Sequence, residues 1–157
     1  MLRTRSSSRV AEAALIGILA IEGVLALAGG VLLVAAPSGR LLQMPAVWLD
    51  RTPFSSYLVP GLLLAVALGL LPLFAAFALW RARSVPGLRR VERALGMDTG
   101  WLASFAAGMG IMIWIVTQIA MVRLFHPMQL FIFALGAVVV ALALLPSVRA
   151  GHARPGG

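Results

Sequence analysis

The run AEAALIGILAIEGVLALAGGVLLVAA, residues 11–36, decides what kind of object this chain is. At 1.5 Å per residue, a helix of that length crosses the roughly 30 Å hydrocarbon core of a bilayer. Backbone groups in lipid must pair within the segment, so a run this long and this apolar reads as a helix. Three further stretches have the same character, at about 56–80, 100–122 and 127–146. The predicted fold class is all-α: a polytopic membrane protein, a bundle of four transmembrane helices spanning 11–146, with tails at 1–10 and 147–157.

The first stretch has the outline of a cleaved signal peptide, with Arg3, Arg5 and Arg9 ahead of it and Ala35 and Ala36 at its end. Its apolar part is far longer than the roughly 7–15 residues of a signal core, and Pro37 would follow the cleavage point. It is expected to stay in place as a membrane helix.

Composition points the same way. Of 157 residues 61% are hydrophobic and only 11% charged, where a soluble domain carries about 25% charge. That is too little to coat a soluble globule, and a chain this apolar is not a disordered one. The net charge of +8 raises the question of nucleic acid. The positions of the arginines, which are all 13 of the basic residues, answer it. Arg3, Arg5, Arg9, Arg81, Arg83, Arg89, Arg90, Arg93, Arg149 and Arg154 fall at one end of the predicted helices. Arg40, Arg51 and Arg123 fall at the other. The positive-inside rule then predicts both termini in the cytoplasm of a bacterial inner membrane, N-in and C-in. Trp80 and Trp101 mark the inner interface, and Trp48, Phe54 and Tyr57 the outer one. The basic residues lack the aromatic interleaving and soluble scaffold of a nucleic-acid surface, so no nucleic-acid partner is expected.

Within this frame Glu22 stands out. It lies roughly 16 Å into the first helix, near the bilayer midplane, where a charge costs about 2.5–3.5 kcal/mol even on the gentle insertion scale. Two readings stay open. Glu22 is a protonatable site that exchanges a proton for a cationic or polar substrate, or it is a protonated group hydrogen-bonded to a neighbouring helix. Gln118, with Thr117, is placed toward the outer end of the third helix, as an interhelical hydrogen-bonding group. Arg40, Arg51, Arg123 and His126 are the outer polar groups, either lining a vestibule or anchoring the chain among headgroups.

The connections carry their own signals. Pro127 suits the first position of the fourth helix, and Asp98 suits the N-cap of the third. Thr52-Pro53 has the form of a helix start. The outer segment 37–55, with Pro37, Pro45 and Pro53, is expected to be ordered against the membrane surface. The inner segment 81–99 sets Leu88, Val91 and Leu95 against Arg89, Arg90 and Arg93, the pattern of a short helix lying on anionic lipid. Pro72 is expected to bend the second helix by disrupting the bond to the Leu68 carbonyl. Gly61, Ala65 and Gly69, and on the third helix Ser104 with Gly108 and Ala106 with Gly110, predict close packing of helices two and three.

Enzyme signatures are absent. No cysteine occurs, the two histidines (His126 and His152) lie at turns or ends, and the glycines at Gly29-Gly30 sit inside an apolar helix. No catalytic residue, cofactor or metal site is expected.

The run Pro37-Ser38-Gly39, then Trp48-Leu49, then Thr52 through Gly61, together with Trp114 through Ile119, resembles a family of small bacterial four-helix integral membrane proteins. The likeness covers roughly residues 13–146 and implies architecture, without supplying an activity or a site. Ala20-Ile21-Glu22-Gly23 is also similar to the small multidrug resistance transporters, which carry a membrane-embedded glutamate in their first helix. Their short loops and nearly balanced flanking charge differ from what stands here. The expected role is a structural or accessory membrane component that packs against itself or a larger complex. The alternative is a proton-coupled small-molecule transporter working through Glu22.

Overall fold

The computed structural model describes residues 2–81, 86–123 and 125–153, without the side chains of residues 2–7 and 86. It is helical, with no strand among the described residues beyond a single antiparallel bridge between Met97 and Ala153. The helices are α1 (Leu2–Ala35), α2 (Leu58–Arg81), α3 (Arg89–Leu95), α4 (Thr99–Val122), α5 (Pro127–Leu144) and α6 (Pro146–His152). Of these, α1, α2, α4 and α5 are long and apolar enough to cross a membrane, giving an all-α four-helix membrane bundle. Each span packs mainly on two neighbours: α1 on α2 and α5, and α4 on α2 and α5. Arg83, Ser84, Leu124 and Arg154 lie outside the described residues.

The helix ends follow local chemistry. Asp98 caps α4, its Oδ1 accepting from the Trp101 amide at 2.9 Å. Pro127 opens α5, and His126 and Gln129 complete a reciprocal capping box there. The Met128 amide donates to His126 Nδ1, and the His126 amide to Gln129 Oε1. Thr52 does not start a helix. Its hydroxyl donates to the Leu49 carbonyl and accepts from the Phe54 amide, so it closes a turn, and α2 begins at Leu58. The outer segment is ordered around Tyr57, which is buried, donates to the Pro45 carbonyl at 2.7 Å and packs its ring on Gly39. Gly39 sits at φ +78°, where a side chain would also strike that ring.

Pro72 disturbs α2 in a particular way. Residues Leu64–Leu70 are π-helical, and the Leu71 amide reaches back to the Val66 carbonyl. Proline has no N–H, and its ring crowds the carbonyl four residues earlier. A widened turn just ahead of it relieves both constraints.

Two tight seams hold the spans together. A Cβ built on Gly30 would lie 2.5 Å from the Ala65 nitrogen, and one on Gly61 2.7 Å from Leu33 Cβ. On Gly69 it would lie 2.9 Å from Leu27 Cα. The Gly61–Ala65–Gly69 row therefore packs on α1, and not on helix three as its spacing suggested. The reason is that α1 carries a matching small-residue face of its own, Gly23 and Gly30. On α4, Gly108 meets Gly136 of α5 in a reciprocal backbone contact, with each Cβ position 3.0–3.1 Å from the other carbonyl. Ala106 is exposed and Gly110 approaches Leu68 only at 3.9 Å, so that second row makes no seam. Helices two and three do meet closely at the arginine-rich end, where Gly100 lies on Ala78 and Leu79. In lipid such contacts gain dispersion energy that no solvent effect supplies between helices.

The best-buried core lies toward the arginine-rich end, where Leu15 and Leu19 of α1 meet Ala75, Leu79, Trp101, Val139 and Ala143. Large apolar side chains such as Ile21, Leu25, Ile113, Val116, Leu130 and Phe131 face outward. That inside-out distribution suits a lipid surround. Leu88, Val91 and Leu95 are also exposed, while Glu92, next to Val91 in α3, is buried and accepts from the Thr99 amide at 2.8 Å and from its hydroxyl. Pro146–His152 forms α6, which packs on α1, α4 and α5, and α1 runs from Leu2, through the stretch ahead of its membrane span.

Candidate functional site

Glu22 follows Leu15 and Leu19 on one face of α1 at helical spacing, and both leucines are fully buried. Both carboxyl oxygens are buried, and neither has a hydrogen-bond partner among the described residues. The interhelical hydrogen bond of the second reading of Glu22 is therefore not made among the described residues. The next residue, Gly23, is pressed against α2, with its Cβ position 2.7 Å from Leu73 Cγ and 2.9 Å from the Gly69 carbonyl.

The other expected site residues are not brought to Glu22. Gly110 of α4 faces Leu68, whose neighbour Gly69 packs on Leu27 of α1. Measured from that level, Gln118 lies outward and Glu22 inward, roughly 20 Å apart along the bundle at 1.5 Å per residue. Arg51 and Arg123 do converge: with Ala120 and Met121 they line an open depression of about 450 Å³ at the far end. Arg123 sits there in a left-handed conformation, φ 52°, closing α4 with its amide on the Ile119 carbonyl. Arg40 is exposed in a separate turn, and the His126 ring is engaged in capping α5.

The most organised polar cluster lies at the arginine-rich end, and residue-by-residue reading did not assemble it. His152, only 7% exposed, places Nδ1 2.6 Å from Asp98 Oδ2 and Nε2 3.5 Å from Glu12 Oε1. The Asp98 amide donates to the His152 carbonyl at 3.0 Å, beside the Met97–Ala153 bridge. The bond to Asp98 first, and the charges of Asp98 and Glu12 with it, raise the imidazole above its ordinary pKa against the opposing effect of burial. One signal was available: Glu12 stands one turn before Leu15 and Ile16, on the face that becomes core. Its partners are remote in sequence, so nothing local pointed to them. The two acids grip opposite nitrogens of one ring, an arrangement that joins three segments. No group of three or more His, Cys, Asp or Glu suited to a metal ion occurs among the described residues.

Comparison with known proteins returns no match, whether to a family model, a curated protein or a solved structure.

Proposed function

We propose that this chain is a structural or accessory component of a bacterial inner membrane, with no enzymatic activity, that packs against itself or a larger membrane complex. The close packing beside Glu22 carries this reading. Gly23 on Gly69 and Leu73, with Gly69 on Leu27, closes the α1–α2 seam at mid-depth where a transport path would need room. The outer-loop resemblance to small four-helix bacterial membrane proteins belongs to the same proposal, as does an N-in, C-in orientation drawn from the arginine bias. At the arginine-rich end, anionic lipid is the expected contact. Exposed Leu88, Val91 and Leu95 would enter the interface beside Arg89, Arg90 and Arg93. Arg81, within 5.3 Å of the Phe77 and Trp80 ring centres, would sit at headgroup level.

One observation favours a second reading, proton-coupled transport through Glu22: both buried carboxyl oxygens lack a partner among the described residues. Ionisable groups at membrane depth are by default functional candidates. Proteoliposomes separate the two. With a valinomycin-imposed potassium potential and a trapped pH dye, the accessory reading expects proton entry no faster than in protein-free vesicles. Entry that requires the protein and disappears in Glu22→Gln would establish the transport reading instead. A photocrosslinker at outward-facing Phe131 in native membranes should also capture a discrete protein partner or a second copy. Capture of lipid alone would count against an accessory role.

A further inference from the structure

The helix α6 is seated on the bundle by buried Val148 and, at its end, by one imidazole shared between two spans. His152 reaches Asp98, the cap of α4, through Nδ1, and Glu12 of α1 through Nε2. A protonated ring has an N–H for each acid, whereas a neutral ring has only one. The Asp98 contact, at 2.6 Å, is the shorter and keeps that hydrogen. The Nε2 lone pair would then face the Glu12 carboxylate, and an attraction becomes a repulsion. Among the described residues, the charged groups acting on the ring are these two acids. Glu92 of α3 is engaged by Thr99, Arg9 of α1 and Arg149 of α6 are exposed, and α5 carries no ionisable side chain.

We propose that Glu12, Asp98 and His152 form a proton-operated clasp that fastens α6 to the arginine-rich end of the bundle and frees it from α1 when the imidazole deprotonates. The proton leaves to water and the Glu12–His152 contact breaks, while Asp98, the Met97–Ala153 bridge and the buried Val148 side chain still seat α6 on the bundle. The direction in pH follows from the raised folded-state value. The clasp contributes fully below the ordinary histidine pKa of about 6.5 and is lost as pH rises through the higher folded value. Alkalinisation on that side of the membrane is therefore the opening signal.

Hydrogen exchange of residues 146–152 in the full chain, held in lipid nanodiscs from pH 6 to 9 and corrected for intrinsic rates, tests this. Protection of α6 should fall about tenfold for each unit of pKa separation, while α4 and α5 stay protected. In His152→Gln, α6 should exchange fast at every pH. In Glu12→Gln the transition should flatten, because a neutral amide at position 12 meets neither an attraction from the protonated ring nor a repulsion from the neutral one. Flat protection of wild-type α6 across the range would overturn the clasp, as would a transition that survives in His152→Gln. Should His152→Gln also loosen the spans, Glu12→Gln decides alone: a transition as large as in wild type refutes the proposal.

Discussion

The indole Nε1–H of Trp101 donates to the carbonyl of Ala143 at 2.7 Å, tying the first turn of α4 to the last turn of α5. Ala143 lies where helix carbonyls have no partner within their own helix, because α5 ends at Leu144 and Pro146 cannot continue it. Trp101→Phe would keep the stacking on Phe105, whose ring centre lies 5.5 Å away, and remove only the donor. The expected loss is about 1–3 kcal/mol, the cost of a buried polar group left unpaired. Equilibrium unfolding in mixed micelles measures it, and a variant as stable as wild type would show that water replaces the indole.

The α1–α2 seam predicts a contrast between two glycines of the same helix. Gly30→Ala would push a methyl to within 2.5 Å of the Ala65 nitrogen, whereas nothing lies within 4 Å of the position at Gly17. Overpacking of this kind costs about 1–3 kcal/mol. Gly17→Ala should leave the same unfolding midpoint unchanged or slightly raised, since alanine is the better helix former. Equal effects at the two sites would mean that the seam is not as close as described.

Glu22 gives a prediction of opposite sign. Its buried, unpartnered oxygens oppose packing, so Glu22→Leu should stabilise the bundle by about 1–3 kcal/mol. Glu22→Gln, which keeps two polar atoms at the same place, should gain little. A destabilised Glu22→Leu would reveal a partner for the carboxyl in the lipid-embedded state.

Because the chain has no cysteine, single cysteines report orientation cleanly. Ser38 and Gly87 are exposed at opposite ends of the bundle. An impermeant maleimide added to intact cells should label Ser38→Cys and should reach Gly87→Cys only after permeabilisation. The reverse pattern would invert the proposed topology.

The spans were legible because the bilayer imposes length and apolarity on each helix separately. Local chemistry likewise marked the Asp98 cap and the Pro127 start, whose partners lie within a single turn. Thr52-Pro53 misled because the same side-chain hydrogen bonds serve a turn as readily as a cap. The glycine row of α2 announced a close approach but not its partner. A row of small residues is one half of an interface, and several helices in an Ala- and Gly-rich chain offer the other half.

The amino-acid sequence by itself determined four membrane helices, their approximate ends and the asymmetry of charge between the two faces. These properties follow from each segment's own exchange with lipid and water. Only the tertiary structure decided that α2 seats on α1, that the Glu22 carboxyl oxygens are buried with no partner among the described residues, and that His152 lies between Asp98 and Glu12. Such relationships depend on how two separately formed surfaces fit. Helical periodicity says which residues share a face, but the partner that face meets is chosen by shape and charge contributed from elsewhere in the chain.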